Sequence, residues 1–122
     1  MKQILTLLIF ASTLLAKGQV YDTLIWADEF NIDGSLDTAK WWHQTILPNN
    51  GQSWWNNEIQ HYTNRDTNSY CDSGMMYLTA RRETFTDQNV TKDYTSARLN
   101  SKFAFTYGRV EVRAQMPSGV GT

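Results

Sequence analysis

The carboxylates of this chain are poorly placed for acid–base chemistry. Two acids on one strand share a face only at even spacing, unless a bulge intervenes. Asp28 and Glu29 are adjacent and would face opposite sides, and Glu58 has no partner carboxylate at short even spacing. Glu111 lies two residues from both Arg109 and Arg113, the pattern of an ion-paired strand face. No catalytic residue is therefore assigned within the chain. Arg98 and Asn100 are two apart and so share one strand face, and Trp54-Trp55 and Trp41-Trp42 are pairs of adjacent rings. Adjacent rings on an extended chain point oppositely, so at most one of each pair faces a ligand. Trp55 is favoured in the first pair, and core packing suits one of the second. Five Trp and six Tyr in a 13% aromatic share can fill a core, or a flat ring can stack on the apolar face of a pyranose.

Composition narrows the partners. With 41% hydrophobic and 19% charged residues, the 122-residue chain reads as globular and as one small domain at most. A formal net charge of -1 and a pI near 6.0 supply no field for nucleic acid or another polyanion. Met1-Lys2, the apolar run Gln3 to Ala16 and the small residues of Ala16-Lys17-Gly18 match a secretory leader. The mature chain is expected to begin at Gln19, to be secreted, and to have no membrane contact after cleavage. The run is shorter than the ~20 residues a membrane span needs. Cys71, the only cysteine, reads as a small buried hydrophobe, with pairing outside this chain left open. Asn89-Val90-Thr91 matches a glycosylation sequon.

Positioning these groups falls to strands. No stretch after Gln19 sustains helical periodicity. Thr23–Phe30, Trp41–Leu47, Ile59–Thr63, Met75–Arg82, Tyr94–Ser101 and Phe103–Met116 are predicted as strands, with one helical turn at Leu36–Lys40. In the last strand Val110, Val112 and Ala114 would face one way and Arg109, Glu111 and Arg113 the other. Short strands separated by Asn/Asp/Gly/Pro turns predict an all-β sandwich or barrel. Because that last strand is followed by only six residues, the fold is expected to be incomplete in this chain.

Five ordered segments carry a resemblance. Trp26-Ala27-Asp28-Glu29-Phe30-Asn31, Trp55-Asn56-Asn57-Glu58-Ile59-Gln60-His61-Tyr62-Thr63, Gly74 to Ala80, Tyr94 to Lys102 and Tyr107 to Ala114 resemble glycoside hydrolase family 16, within it the laminarinases. Pro117 to Thr122 resembles the loop leading into that family's next strand. The resemblance implies a β-jelly roll of the concanavalin A-like type over residues 19–122, with a cleft for a β-glucan polysaccharide. It implies hydrolysis of internal β-1,3 or mixed β-1,3/1,4 glucosidic bonds by a retaining two-carboxylate mechanism. The family's Glu-x-Asp-x-Glu strand does not occur here, so the segment by itself is expected to be inactive.

The resemblance also implies that Asn57, Arg98 and Asn100 hydrogen-bond sugar hydroxyls, with Trp55 beside them. No cofactor is required for the implied chemistry. A structural calcium is a further implication, held partly by the main-chain carbonyls of Glu29 and Gly74 with an Asp from near the family's C-terminus that this chain lacks. A monomer is expected. The alternative is a non-catalytic glucan-binding jelly roll, or a structural β-sandwich of the cell envelope.

Overall fold

A computed structural model describes Gly18, residues 20–48 and residues 51–119. The expected leader lies outside the described residues except for Gly18, as do Gln19, Asn49, Asn50 and the last three residues. The chain divides into two units, Trp26–Phe105 and a second made of Met1–Ile25 with Thr106–Thr122. In the second unit, described residues 20–25 and 106–119 are exposed and hold no strand. Arg109 and Glu111 form an ion pair there at 2.5 Å, although the strand face expected to carry it is absent.

The Trp26–Phe105 unit is all-β. Its strands are β1 (Trp41–His43), β2 (His61–Tyr62), β3 (Ser69–Asp72), β4 (Met75–Leu78), β5 (Arg81–Asp87), β6 (Val90–Ser96) and β7 (Leu99–Ser101). β6 pairs antiparallel with β5 and parallel with β2, β3 pairs antiparallel with β4, and β1 pairs antiparallel with β7. Two of these pairings are hairpins closed by two-residue turns. Ser73 and Gly74 have φ of 52° and 74° between β3 and β4, and Gln88 and Asn89 have φ of 50° and 62° between β5 and β6. Two consecutive left-handed residues make a turn whose twist matches that of the flanking strands.

Polar atoms hold the centre of this unit. Leu36, Leu47, Trp54, Cys71 and Ala97 are buried, but so are His61, Thr63, Asn68, Ser69 and Thr95. Asn68 Oδ1 accepts from Thr63 Oγ1 at 2.6 Å and from Arg65 at 3.0 Å, while its amide nitrogen donates to Thr79 O and Thr95 Oγ1. Thr95 Oγ1 in turn donates to Glu83, which Arg65 also holds. These two hydrogen bonds keep the Glu83 carboxyl below the usual carboxylate range, against the opposing effect of burial. A second cluster joins Trp26, Phe30, Trp41 and Phe103, with Trp26 and Phe103 stacked at 5.9 Å. Beneath it, burial works to raise the Asp28 pKa, but hydrogen bonds from Trp41 Nε1, Lys40 and the Phe30 amide outweigh it and lower it.

Several predicted strands are corrected. Thr23–Phe30 and Phe103–Met116 form no strand, because alternation reports which way side chains face, while a ladder also needs a partner backbone. Met75–Arg82 breaks at Thr79, whose amide donates to Asn68 O and whose carbonyl accepts from Asn68 Nδ2. Tyr94–Ser101 breaks at Ala97–Arg98, where the Arg98 carbonyl accepts from Gln44. Trp41–Leu47 stops at His43. The turn at Leu36–Lys40 is present, closed by Lys40 and Trp41 amides on Asp37 O. β3 and β5 were not anticipated, since Ser69-Tyr70-Cys71-Asp72 and Arg81-Arg82-Glu83-Thr84 carry too many polar residues to read as strands.

Removing the Asn68 amide leaves the buried Thr63 and Thr95 without a partner they share. Asn68→Ala is expected to lower stability by about 2–3 kcal/mol, read from the shift of the denaturant midpoint.

Candidate functional site

The segment from Trp54 to Tyr62 makes a tight excursion before β2. Asn56 and Asn57 have φ of 60° and 59°, and the Glu58 amide donates to Trp55 O at 3.4 Å. Asparagine tolerates the left-handed region better than other non-glycine residues. The sequence thus makes a third pair of left-handed residues here, and Asn56 and Asn57 stand exposed on it. Trp54 is buried at 4% exposure and Trp55 stands out at 58%. Of the two rings, Trp55 is the one open to a ligand.

Arg98 reaches this excursion from the joint between β6 and β7. Its guanidinium lies 5.2 Å from the Trp54 ring centroid and 5.9 Å from that of Tyr62, while the two rings meet edge to face at 4.8 Å. Its Nη1 is 3.8 Å from Glu58 Oε1. Glu58 Oε2 accepts from the Tyr62 hydroxyl at 2.9 Å and from Gln60 at 3.4 Å. Burial, then the hydrogen bond and charge of Glu58, push the Tyr62 hydroxyl up, so it remains a donor. The Arg98 side chain is 43% exposed.

Arg98 and the Asn57 turn are therefore brought together through Glu58. Asn100 lies on β7 directly opposite Trp42, and both residues are exposed. Trp41 joins the aromatic cluster instead. Spacing gave Arg98 and Asn100 a shared face, but it gave no sign that Glu58, Tyr62 and Trp54 surround Arg98. The Trp-x-x-x-Glu-x-x-x-Tyr spacing joins residues too far apart for one strand face to explain.

Glu29 and Gly74 also approach each other. A Cβ at Gly74 would stand 4.0 Å from Glu29 O and 4.0 Å from Asn31 Oδ1. That oxygen set is neutral, and among the described residues no group of three or more His, Cys, Asp or Glu could hold a metal ion. Calcium takes six to eight oxygens, commonly with carboxylates, so these residues alone fall short of a calcium site. Burial, reinforced by the charges of Asp28 and Asp33, raises the pKa of the Cys71 thiol, which lowers its reactivity.

No family model matches the chain. The beta-glucanase of Rhodothermus marinus is 40% identical over 102 residues, which is 81% of this chain and 33% of that protein. A LamA variant from Zobellia galactanivorans, solved in complex with laminaritriose and laminaritetraose, superposes with a TM-score of 0.70 at 56% identity, over 73% of this chain and 36% of that one. The chain is thus similar to laminarinases of glycoside hydrolase family 16. The laminarinase catalytic domain of Thermotoga petrophila agrees, with a TM-score of 0.59 at 37% identity. Its fold is accordingly the jelly roll of those enzymes, of which the segment spans about a third of the length.

The left-handed turn of this laminarinase-like segment yields a test. Asn56→Gly should leave stability unchanged or slightly raised, whereas Asn56→Val should cost about 1–2 kcal/mol by chemical denaturation.

Proposed function

We propose that the segment supplies part of the glucan-binding cleft of an endo-β-1,3-glucanase. The observation that carries this reading is the convergence of exposed Asn57 and Trp55 with Arg98, whose guanidinium is fixed over two rings yet 43% exposed. Arg offers five N–H donors, Asn both a donor and an acceptor, and an open indole a flat apolar face. A neutral polyhydroxyl chain needs that combination, and laminarin oligosaccharides are the ligands of the LamA complex. Asn100 beside Trp42 would extend the same binding function along β1 and β7.

In the whole protein the reaction is hydrolysis of internal β-1,3 or mixed β-1,3/1,4 bonds. One carboxylate attacks the anomeric carbon while a carboxylic acid, held ~5 Å away, protonates the departing oxygen. The acid, now a base, then takes a proton from the water that releases the glycosyl group. Neither Asp28 nor Glu58 is assigned to this step. Asp28 is tied to Lys40 and Trp41, and Glu58 to Arg98 and Tyr62.

The whole protein, and not this segment by itself, is expected to release reducing ends from laminarin with retained anomeric configuration. Arg98→Ala should raise KM by about tenfold, the effect of losing ~1.4 kcal/mol of binding. Binding without release of reducing ends would identify a non-catalytic glucan-binding module, and neither binding nor release would overturn the reading.

We propose also that the protein is exported, on the strength of the leader pattern at residues 1–18. N-terminal sequencing of the extracellular or periplasmic fraction should begin at Gln19, and an uncleaved Met1 would refute it.

A further inference from the structure

Glu58 has no role in the proposed chemistry, yet it is among the most connected side chains near the candidate site. One carboxylate oxygen faces Arg98 Nη1 at 3.8 Å, and the other accepts from Tyr62 at 2.9 Å and Gln60 at 3.4 Å. Its main-chain amide closes the Asn56–Asn57 turn on Trp55 O, and its carbonyl accepts from Lys92 Nζ at 3.3 Å. One residue thus links the exposed turn, a ring beneath Arg98, and Arg98 itself. At 3.8 Å the ion pair is too long to use up a guanidinium N–H as a direct hydrogen bond. It holds charge against charge while leaving those donors available.

We infer that Glu58 is a positioning residue that orients Arg98 over Trp54 and Tyr62 and balances its charge, so that the site favours neutral glycans over anionic ones. A guanidinium resting on two rings without a counter-charge would be a ready site for sulfate or carboxylate, which Arg binds bidentately. Glu58 opposes that use by repelling an incoming anion from the same side. Uncharged hydroxyls meet no such repulsion and can accept from the remaining N–H groups. The preference among glycans rests on the glucan-binding reading above, whereas the ordering of Arg98 stands independently of it.

The test uses Glu58→Gln, which keeps the shape and an oxygen acceptor for Tyr62 but removes the charge, with Tyr62→Phe as a second variant. Unchanged melting temperatures establish that each variant is folded. The first readout needs no ligand: the side-chain Nε–H of Arg98, followed by ¹⁵N relaxation. It should be rigid in the parent, mobile in Glu58→Gln and intermediate in Tyr62→Phe. The second is the affinity for laminaritetraose and for a sulfated β-glucan oligosaccharide of equal length. Glu58→Gln should weaken the neutral ligand by about fivefold, the scale of a half-exposed ion pair, and tighten the sulfated one. Equal rigidity of Arg98 in parent and Glu58→Gln overturns the positioning role. An ordered Arg98 that loosens in the variant, in a parent that ignores both oligosaccharides, upholds positioning and rejects the glucan reading. An unchanged ratio of the two affinities in Glu58→Gln overturns the charge preference.

Discussion

One buried amide constrains much of the Trp26–Phe105 unit. Asn68 has no exposure and spends its side chain on Thr63, Arg65, Thr79 and Thr95. Those partners lie just after β2, before β3, between β4 and β5, and on β6. A buried polar group without partners costs more than the net gain of a typical hydrogen bond, so these segments must keep one register to satisfy it. The same bonds explain why the chain from Met75 onward is two strands and not one. Thr79 gives both its main-chain groups to Asn68 and leaves the ladder.

From that register follows the placement of the candidate site. β6 is fixed at Thr95 by Asn68 and pairs with β2 at His61 and Tyr62. Two residues after Ser96, the chain has left β2 and is about to pair with β1, and Arg98 sits at this change of partner. Its carbonyl is bound by Gln44 while its side chain turns over Trp54 and Tyr62. A hydrophobic core would hold the strands less specifically here, because apolar contacts are not directional.

The electrostatics separates two kinds of acid. Asp28 and Glu83 are held in their charged form by hydrogen bonds, with Lys40 and Arg65 beside them. Such acids stabilise the fold and make poor proton donors near neutral pH. Glu58 instead faces a half-exposed cation, and the role proposed for it is to position that cation and balance its charge.

The likeness to family 16 and the fold class were legible in the sequence because they depend on local order: motif strings, turn residues and the absence of helical periodicity. Arg98 and Asn57 were legible as candidates for the same reason, and so was the local turn at Leu36–Lys40, whereas the similar turn at Arg65–Ser69 was not expected. The strand boundaries were not, since Phe103–Met116 alternates well and still has no ladder among the described residues, while the polar β3 and β5 do. Strand formation is settled by a backbone partner that can lie anywhere in the chain. Glu58 shows the same limit at the site. Its sequence neighbours mark it as an isolated acid, and only the tertiary structure, by bringing residues 54, 62 and 98 around it, makes it the partner of an arginine. Chain order determined which groups were present and how the turns bend; long-range hydrogen bonding decided which groups meet, because those bonds join residues that spacing cannot relate.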